Sequence, residues 1–319
     1  MRFLIYGAGA LGQALGCMLS AAGHQVDLVV RQRYAHVLQQ NGLKVEGIFG
    51  EFFAPPEALA VHTEVTGLTG QEYDYVLLTT KSQDTAVAVA SLCALAGLRC
   101  PVASFQNGCG NIEQLTKAFG AQRTLGARVI TGFQISGPAT VRITVSAAEV
   151  HVGGAIAGIV PDSATILAQS INDSGLPCVA VEDVHMSLYA KLLYNCALNP
   201  LGAILEVCYG ELGEHPATRR LMNQVIEETF AVIQAMGGKP PWPDAASYQK
   251  VFYSTLLPAT AAHRPSMLQD LEQGKFTEVE ALVGYVEQKG REYKVATPAC
   301  SLFAGLVRFK QEHIAGKHR

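Results

Sequence analysis

Within its first dozen residues the chain carries Gly7-Ala8-Gly9-Ala10-Leu11-Gly12, directly behind the apolar run 3–6. A short apolar run that stops at glycine reads as a buried strand. The small and apolar residues 10–22, closed by Gly23, read as a helix. Residues 25–30 are apolar again and end at Arg31, which completes a βαβ opening. In that frame each glycine has a task. Gly7 permits the tight turn, Gly9 lets a pyrophosphate approach the backbone, and Gly12 lets helix and strand pack closely. The positive end of the helix then meets the phosphates. The spacing by itself would mean no more than a glycine-rich turn. With a strand before it and a helix after it, Gly7 to Gly12 predicts a dinucleotide site.

The end of the second strand selects the dinucleotide. An acid there would bind the 2′-hydroxyl of NAD. This chain has Arg31 instead, with Arg33 close behind, and a guanidinium suits the 2′-phosphate of NADP. Asp27 lies inside the strand and is the weaker candidate for a ribose ligand. Two more positions follow strands of the same sheet, where ligands of open α/β sheets bind. Lys81 follows Thr79-Thr80 and is placed for the cofactor's phosphates or ribose. Asn107 opens the turn Asn107-Gly108-Cys109-Gly110 and is placed for the nicotinamide side or a substrate. Read in isolation, either is equally an ordinary turn residue.

Strand and helix patterns continue to alternate, with strands at 73–80 and 101–105, a helix at 84–95 and another after Asn111, a good N-cap. Such alternation implies a parallel sheet with helices on both faces. Residues 126–153 change to β-branched runs between Gly and Pro, predicting antiparallel strands added to the sheet edge. Residues 176–181 form a last strand. Beyond Glu182-Asp183 the pattern is helical: 186–205, 216–236, 243–256, 266–274, 277–293 and 298–311. The expected fold is an α/β Rossmann-type domain over 1–182 and an all-α domain over 183–319.

With 319 residues, 49% hydrophobic and 16% charged, the chain can bury two cores and is not disordered. A net charge of -3 gives no electrostatic reason to expect nucleic acid or an anionic membrane. The eight cysteines have no CxxC pair and no His at zinc spacing, so no metal is expected and the thiols read as reduced. The first apolar run is too short for a signal peptide and no run is long enough to span a bilayer. The expectation is a cytoplasmic protein.

The segment 186–205 carries the chemistry. It is nearly all apolar, but Ser187, Lys191, Asn195 and Asn199 recur every four residues and form one stripe on one helix face. A lysine is costly to bury without a partner. Solvent-facing stripes usually carry Glu, Lys and Arg, so one Lys followed by two Asn points to a polar cleft. Pro200 disfavours helical geometry at Asn199 and could kink the stripe. Downstream lie Ser266-Met267-Leu268-Gln269-Asp270 and Thr277-Glu278, interrupted by Gly274. Taken alone, Ser266 is also a fair N-cap and Glu278 an ordinary acid in a first helical turn.

Gly7 to Gly12, Arg31, Lys81, the Asn107 turn, Lys191 to Leu201 and the pair of segments at Ser266 and Glu278 together resemble the ketopantoate reductase (2-dehydropantoate 2-reductase) family, over essentially the whole chain. The resemblance implies a Rossmann domain plus a 6-phosphogluconate-dehydrogenase-like helical domain, with the active site in the cleft between. It implies Lys191 as general acid to a ketone that receives hydride from NADPH. It implies Asn195, Asn199 and Ser266 on the substrate's carboxylate and hydroxyl, and Asn107 on both cofactor and substrate. Glu278 would contact the nicotinamide ribose and position Lys191. The cofactor set is Gly7, Ala8, Gly9, Ala10, Leu11, Gly12, Arg31, Lys81, Asn107 and Glu278. Cys109 and Arg264-Pro265 are the departures that could reshape the pocket. The implied activity is reduction of 2-dehydropantoate to pantoate for pantothenate and coenzyme A. The alternatives are a reductase or dehydrogenase for another 2-oxo or 2-hydroxy acid, and a non-catalytic NADP sensor, which would have no need of Lys191 and Glu278. The partner expected is a small 2-oxo acid. The helical domain could supply a homodimer interface or bury itself against the first domain.

Overall fold

The computed structural model describes residues 1–317. The chain divides into two compact units. The first comprises Met1–Asn107 and Asn111–Val184. The second runs from His185 onward and takes in Gly108–Gly110 as well.

The first unit opens as its glycines dictate, with β1 (Arg2–Tyr6), α1 (Ala10–Ala21) and β2 (Gln25–Val29). Then follow α2 (Gln32–Asn41), β3 (Leu43–Gly47), β4 (Phe52–Ala54), β5 (Leu59–His62), β6 (Tyr75–Leu78), α3 (Thr85–Cys93), β7 (Val102–Ser104), α4 (Asn111–Phe119), β8 (Thr124–Arg128), β9 (Thr131–Gly137), β10 (Thr140–Ser146), β11 (Val150–Gly154), α5 (Asp162–Asp173) and β12 (Cys178–Ala180). Eight strands form the main sheet in the order β12-β11-β8-β7-β6-β1-β2-β5. All its pairs are parallel except β11 with β8. Strands covered on both faces need apolar residues at every position. β6 accordingly reads Tyr-Val-Leu-Leu, buried throughout.

The region expected to extend the sheet edge does so only in part. β8 is parallel to β7, and β11 is the antiparallel strand beside it. β9 and β10 leave for a second sheet of order β4-β3-β10-β9. β10 pairs parallel with β3, matching Val141 to Val45. Leu43, Val45, Ala54, Val141 and Ile143 are buried in the same core as Leu15, Met18 and Leu19 of α1. The apolar alternation of β10 is therefore satisfied by α1, not by the main sheet.

The second unit holds α6 (Val184–Leu205), whose first residue closes the first unit, then α7 (Tyr209–Glu214), α8 (Pro216–Ala235), α9 (Ala245–Val251), a π turn at Phe252–Leu256, α10 (Leu257–Ala259), α11 (Ser266–Glu272), a 3-10 turn at Val279–Ala281, α12 (Val283–Tyr293) and α13 (Pro298–Lys317). α6 runs through Pro200 without a break. The missing N–H of Pro200 takes the intrahelical donor from the Cys196 carbonyl, and the surrounding core holds the helix together there. Lys310 Nζ donates to the Ala203 and Ile204 carbonyls and closes the helix. Glu228 of α8 accepts the Ala299 and Cys300 N–H groups, and so caps α13 with a buried carboxylate. No helix of the described residues is long and apolar enough to cross a membrane.

Candidate active site

The turn Gly7–Gly12 is shaped by contacts that leave no room for side chains. Gly7 has φ +113°, and a Cβ there would lie 2.8 Å from the Thr80 backbone nitrogen. A Cβ on Gly12 would lie 2.0 Å from the Gly7 carbonyl oxygen. Gly9 is the opposite case, with open space where its Cβ would be. Thr79 Oγ1 donates to the Gly7 oxygen at 2.6 Å, and Gln13 Nε2 donates to the Ala8 oxygen at 2.9 Å. These two side chains clamp the turn from below. Gly9 precedes α1 and no side chain caps the helix. The first N–H groups of α1 thus lack intrahelical acceptors beside an open backbone, the donor set a pyrophosphate requires. The residues fit a dinucleotide.

Arg31 is exposed at the head of α2, and its Nη2 lies 3.0 Å from Asp84 Oδ2. Arg33 turns aside over the Tyr34 ring. Asp27 is excluded as a ribose ligand by its partners. It is 3% exposed, receives Arg2 Nε at 2.9 Å, and meets His62 Nε2 at 2.9 Å. That network ties β1, β2 and β5 together.

Lys81 and Asn107, on the turns after β6 and β7, are drawn together by a buried amide. Gln106 Nε2 reaches Thr80 Oγ1, the Lys81 carbonyl and Thr85 Oγ1 at 3.2, 3.3 and 2.8 Å. Thr85 Oγ1 donates to Asn111 Oδ1, while Asn111 Nδ2 and Ser82 Oγ both donate to the Asn107 carbonyl. Asn111 was expected as an N-cap. It is the first residue of α4 instead, and it spends its amide on this network. Gln106, Thr85 and Thr79 are positioning residues that the sequence reading passes over, although they border the residues it selects.

In the second unit α6 presents Ser187 and Lys191 half-buried and Asn195 and Asn199 buried, at 7% and 3% exposure. Asn199 Oδ1 accepts from Ser266 Oγ and the Met267 N–H, each at 3.3 Å. Asn199 Nδ2 points to Asn195 Oδ1 at 3.5 Å. Ser266 is the first residue of α11 and not its cap; the oxygen that caps this helix comes from Asn199, a full element away. Three expected substrate residues, Asn195, Asn199 and Ser266, are thereby brought into one cluster, with Lys191 one helical turn from Asn195.

Glu278, half-buried, leads into the turn Val279–Ala281, and its carbonyl accepts the Ala281 N–H. Thr277 fixes that turn. Its Oγ1 donates to Gln311 Oε1 on α13 and accepts the Val279 N–H. The Cys109 N–H donates to the Ala281 carbonyl at 2.9 Å. Gly108, at φ +78°, must be glycine because a Cβ would meet that same carbonyl at 2.4 Å. Gly108–Gly110 therefore pack within the second unit against the turn that follows Glu278. Burial pushes the Cys17 thiol up to about 11 and Cys178 up to about 12, so these are packing groups. Among the described residues no group of three or more His, Cys, Asp or Glu could hold a metal ion.

Comparison with known proteins places this geometry in context. The family model described as Ketopantoate reductase PanE/ApbA matches residues 3–155, and its C-terminal counterpart matches residues 183–311. The chain is 39% identical to a 2-dehydropantoate 2-reductase of Aquifex aeolicus over 311 residues, covering 98% of this chain and 97% of the relative. Among solved structures, a PanE/ApbA family ketopantoate reductase from Ralstonia eutropha JMP134 superposes with a TM-score of 0.86 at 29% identity, covering 98% of this chain and 99% of the other. D-mandelate dehydrogenase, solved with NADH and anilino(oxo)acetate, shares the fold at a TM-score of 0.84 and 24% identity, covering 98% and 99%.

Proposed function

The chain belongs to the ketopantoate reductase family, and from that membership we propose that it reduces 2-dehydropantoate to pantoate with NADPH. It is an oxidoreductase of the nicotinamide-dinucleotide-dependent class. The observation that carries the reading from fold to chemistry is the Asn195–Asn199–Ser266 cluster, one helical turn from Lys191.

When bound, NADPH would supply the hydride for the ketone carbon. The ketone oxygen then gains negative charge, which the Lys191 ammonium stabilises and neutralises by giving up a proton. One hydride and one proton convert the ketone to the alcohol, so the step balances. Asn195 and Ser266 offer an amide and a hydroxyl to the substrate, while Asn199 orients both. Asn107 reaches cofactor and substrate. Glu278 would contact the nicotinamide ribose and orient Lys191, its turn fixed by Thr277. Gly7, Ala8, Gly9, Ala10, Leu11 and Gly12 hold the pyrophosphate, with Lys81 on the phosphates or ribose. The choice of NADPH over NADH rests on Arg31.

The site is proposed to act in the cytoplasm on a small molecule. A homodimer through the helical unit is a separate part of the proposal, supported by Leu302, Leu306 and Phe309, exposed at helical spacing on α13. Sedimentation velocity reads it. The activity test is loss of the reduced-nicotinamide absorbance with 2-dehydropantoate, against a panel of other 2-oxo acids and against NADH. Preferred turnover of 2-dehydropantoate with NADPH is expected. Turnover of another 2-oxo acid alone would keep the mechanism and replace the substrate.

A further inference from the structure

Glu278 stands on a stretch with little structure of its own. Between the end of α11 at Glu272 and the start of α12 at Val283 the backbone holds only the three-residue turn Val279–Ala281. A loop of this kind does not by itself fix a side chain to the fraction of an ångström that a reacting site requires. Two side chains of α13 supply the ties. Before Glu278 in the chain, Gln311 Oε1 accepts the Thr277 N–H at 3.3 Å and the Thr277 hydroxyl at 3.0 Å. After it, Arg308 holds Glu280 with two hydrogen bonds, Nε to Oε1 and Nη2 to Oε2, each at 2.7 Å. Arg308 and Gln311 are three residues apart and so share one face of α13.

The Arg308–Glu280 pair contributes geometry more than stability. Its side chains are 32% and 58% exposed, and an ion pair so open to solvent adds little to folding. A bidentate fork does fix direction, and here the fork is itself braced. Arg308 Nη1 donates to Glu287 Oε2 of α12 at 2.9 Å, and Glu287 is only 13% exposed. Gly284 leaves the clearance. It lies in the first turn of α12, where glycine is a poor helix former. A Cβ on it would lie 2.7 Å from Glu280 Oε2, 2.9 Å from the Val279 carbonyl oxygen and 3.2 Å from Arg308 Nη2. The glycine thus keeps open the space that the carboxylate, the turn and the guanidinium share.

We propose that Arg308 is a positioning residue for Glu278: with Gln311 it clamps residues 277–280 to α13, and through Glu280 it sets where the Glu278 carboxylate stands. The proposal rests on the role given to Glu278 under the reductase reading. Asn199 and Ser266 tie α6 to α11, whereas Arg308 ties the Glu278 turn to α13. Loosening the clamp should therefore cost turnover and spare the grip on the substrate.

The test compares wild type, Arg308→Met, Arg308→Lys, Glu278→Gln and the double variant Arg308→Met/Glu278→Gln. Each is assayed on 2-dehydropantoate with saturating NADPH, and its ligand-free amide hydrogen exchange is followed over residues 275–282. In Arg308→Met kcat should fall about tenfold, since a misplacement of about 1 Å at a reacting site can cost about 10²-fold. The KM for 2-dehydropantoate should change less than about twofold, because binding of the ground state is spared. Arg308→Lys keeps the charge without the fork and should recover part of the loss. Glu278→Gln should lose more than Arg308→Met, and adding Arg308→Met to it should cost less than about a further twofold, because residues that act through one another are not additive. Exchange over 275–282 should quicken about tenfold in Arg308→Met and keep its wild-type rate in α8, as local loosening requires. Wild-type kcat in folded Arg308→Met, with Glu278→Gln impaired, would overturn the proposal. Additive losses in the double variant, or a rise in KM as large as the fall in kcat, would make Arg308 merely structural and overturn it too. Glu280→Gln, at the exposed end of the pair, opens the same fork should Arg308→Met fail to fold. If Glu278→Gln keeps wild-type turnover, the role of Glu278 fails and the positioning role of Arg308 with it. Unchanged exchange over 275–282 in Arg308→Met overturns the clamp whatever the kinetics. That measurement decides the clamp alone if wild type turns over no 2-oxo acid, a result by which the reductase reading itself fails.

Discussion

The glycine turn after β1 and the polar stripe on α6 achieve their ends by opposite means. At the turn the backbone does the work. Gly7 and Gly12 exclude side chains because other backbone atoms occupy the space, and Gly9 keeps open the space a ligand would use. On α6 the backbone is an ordinary helix that would accept most residues, and the work falls to Lys191, Asn195 and Asn199. A fault in the turn should therefore be felt first in packing and cofactor affinity. A fault at half-buried Lys191 should be felt in turnover with the fold intact, whereas one at Asn199 would also uncap α11.

The sharpest break of that contrast is Lys191→Ala. It should lower kcat by about 10²- to 10⁴-fold, the range for a lost general acid. NADPH affinity, measured by fluorescence titration, should stay near wild type. A variant with wild-type turnover would remove Lys191 from the chemistry and with it the division drawn between the two regions.

The turn is tested by two glycines that the motif treats alike. Gly12→Ala forces a Cβ to within 2.0 Å of the Gly7 oxygen, and overpacking of this kind costs about 1–3 kcal/mol. Both the melting temperature and NADPH affinity should fall. Gly9→Ala meets nothing within 4 Å. It should melt close to wild type yet bind NADPH more weakly, because the added methyl occupies the ligand's side. Equal melting losses in the two variants would mean that Gly9 is packed after all.

Much of this was legible in the residues because it is local. Residues 3–6, 10–22 and 25–30 announce β1, α1 and β2 through contiguous apolar runs and glycines. The stripe on α6 is legible because helical spacing is fixed. What escaped is non-local. β9 and β10 have the alternation of edge strands, but the partner that removes them from the main sheet is β3, nearly a hundred residues earlier. The short strands β3, β4 and β5 carry little periodicity and went unread. Asn111 looks like a cap in sequence, and only the fold brings Thr85 and the Asn107 carbonyl to it.

The gentlest test lies at the far end of the turn. Arg31→Asp should weaken NADPH by about tenfold or more, as expected for a lost charged hydrogen bond, and NADH much less; equal losses would remove the 2′-phosphate role. A smaller change in the other direction follows from Asp84, whose carboxylate lies 3.0 Å from the Arg31 guanidinium and so competes with any phosphate for it. The side chains are 67% and 36% exposed, so the pair is worth no more than about 1 kcal/mol. Asp84→Asn should therefore tighten NADPH by about twofold to fivefold, leave NADH unchanged, and lose most of that gain at high salt, where exposed charges are screened. Weaker NADPH binding in Asp84→Asn would show that the carboxylate orients Arg31 for the phosphate instead of contending with it. Isothermal titration of both nucleotides at two salt concentrations separates the two cases.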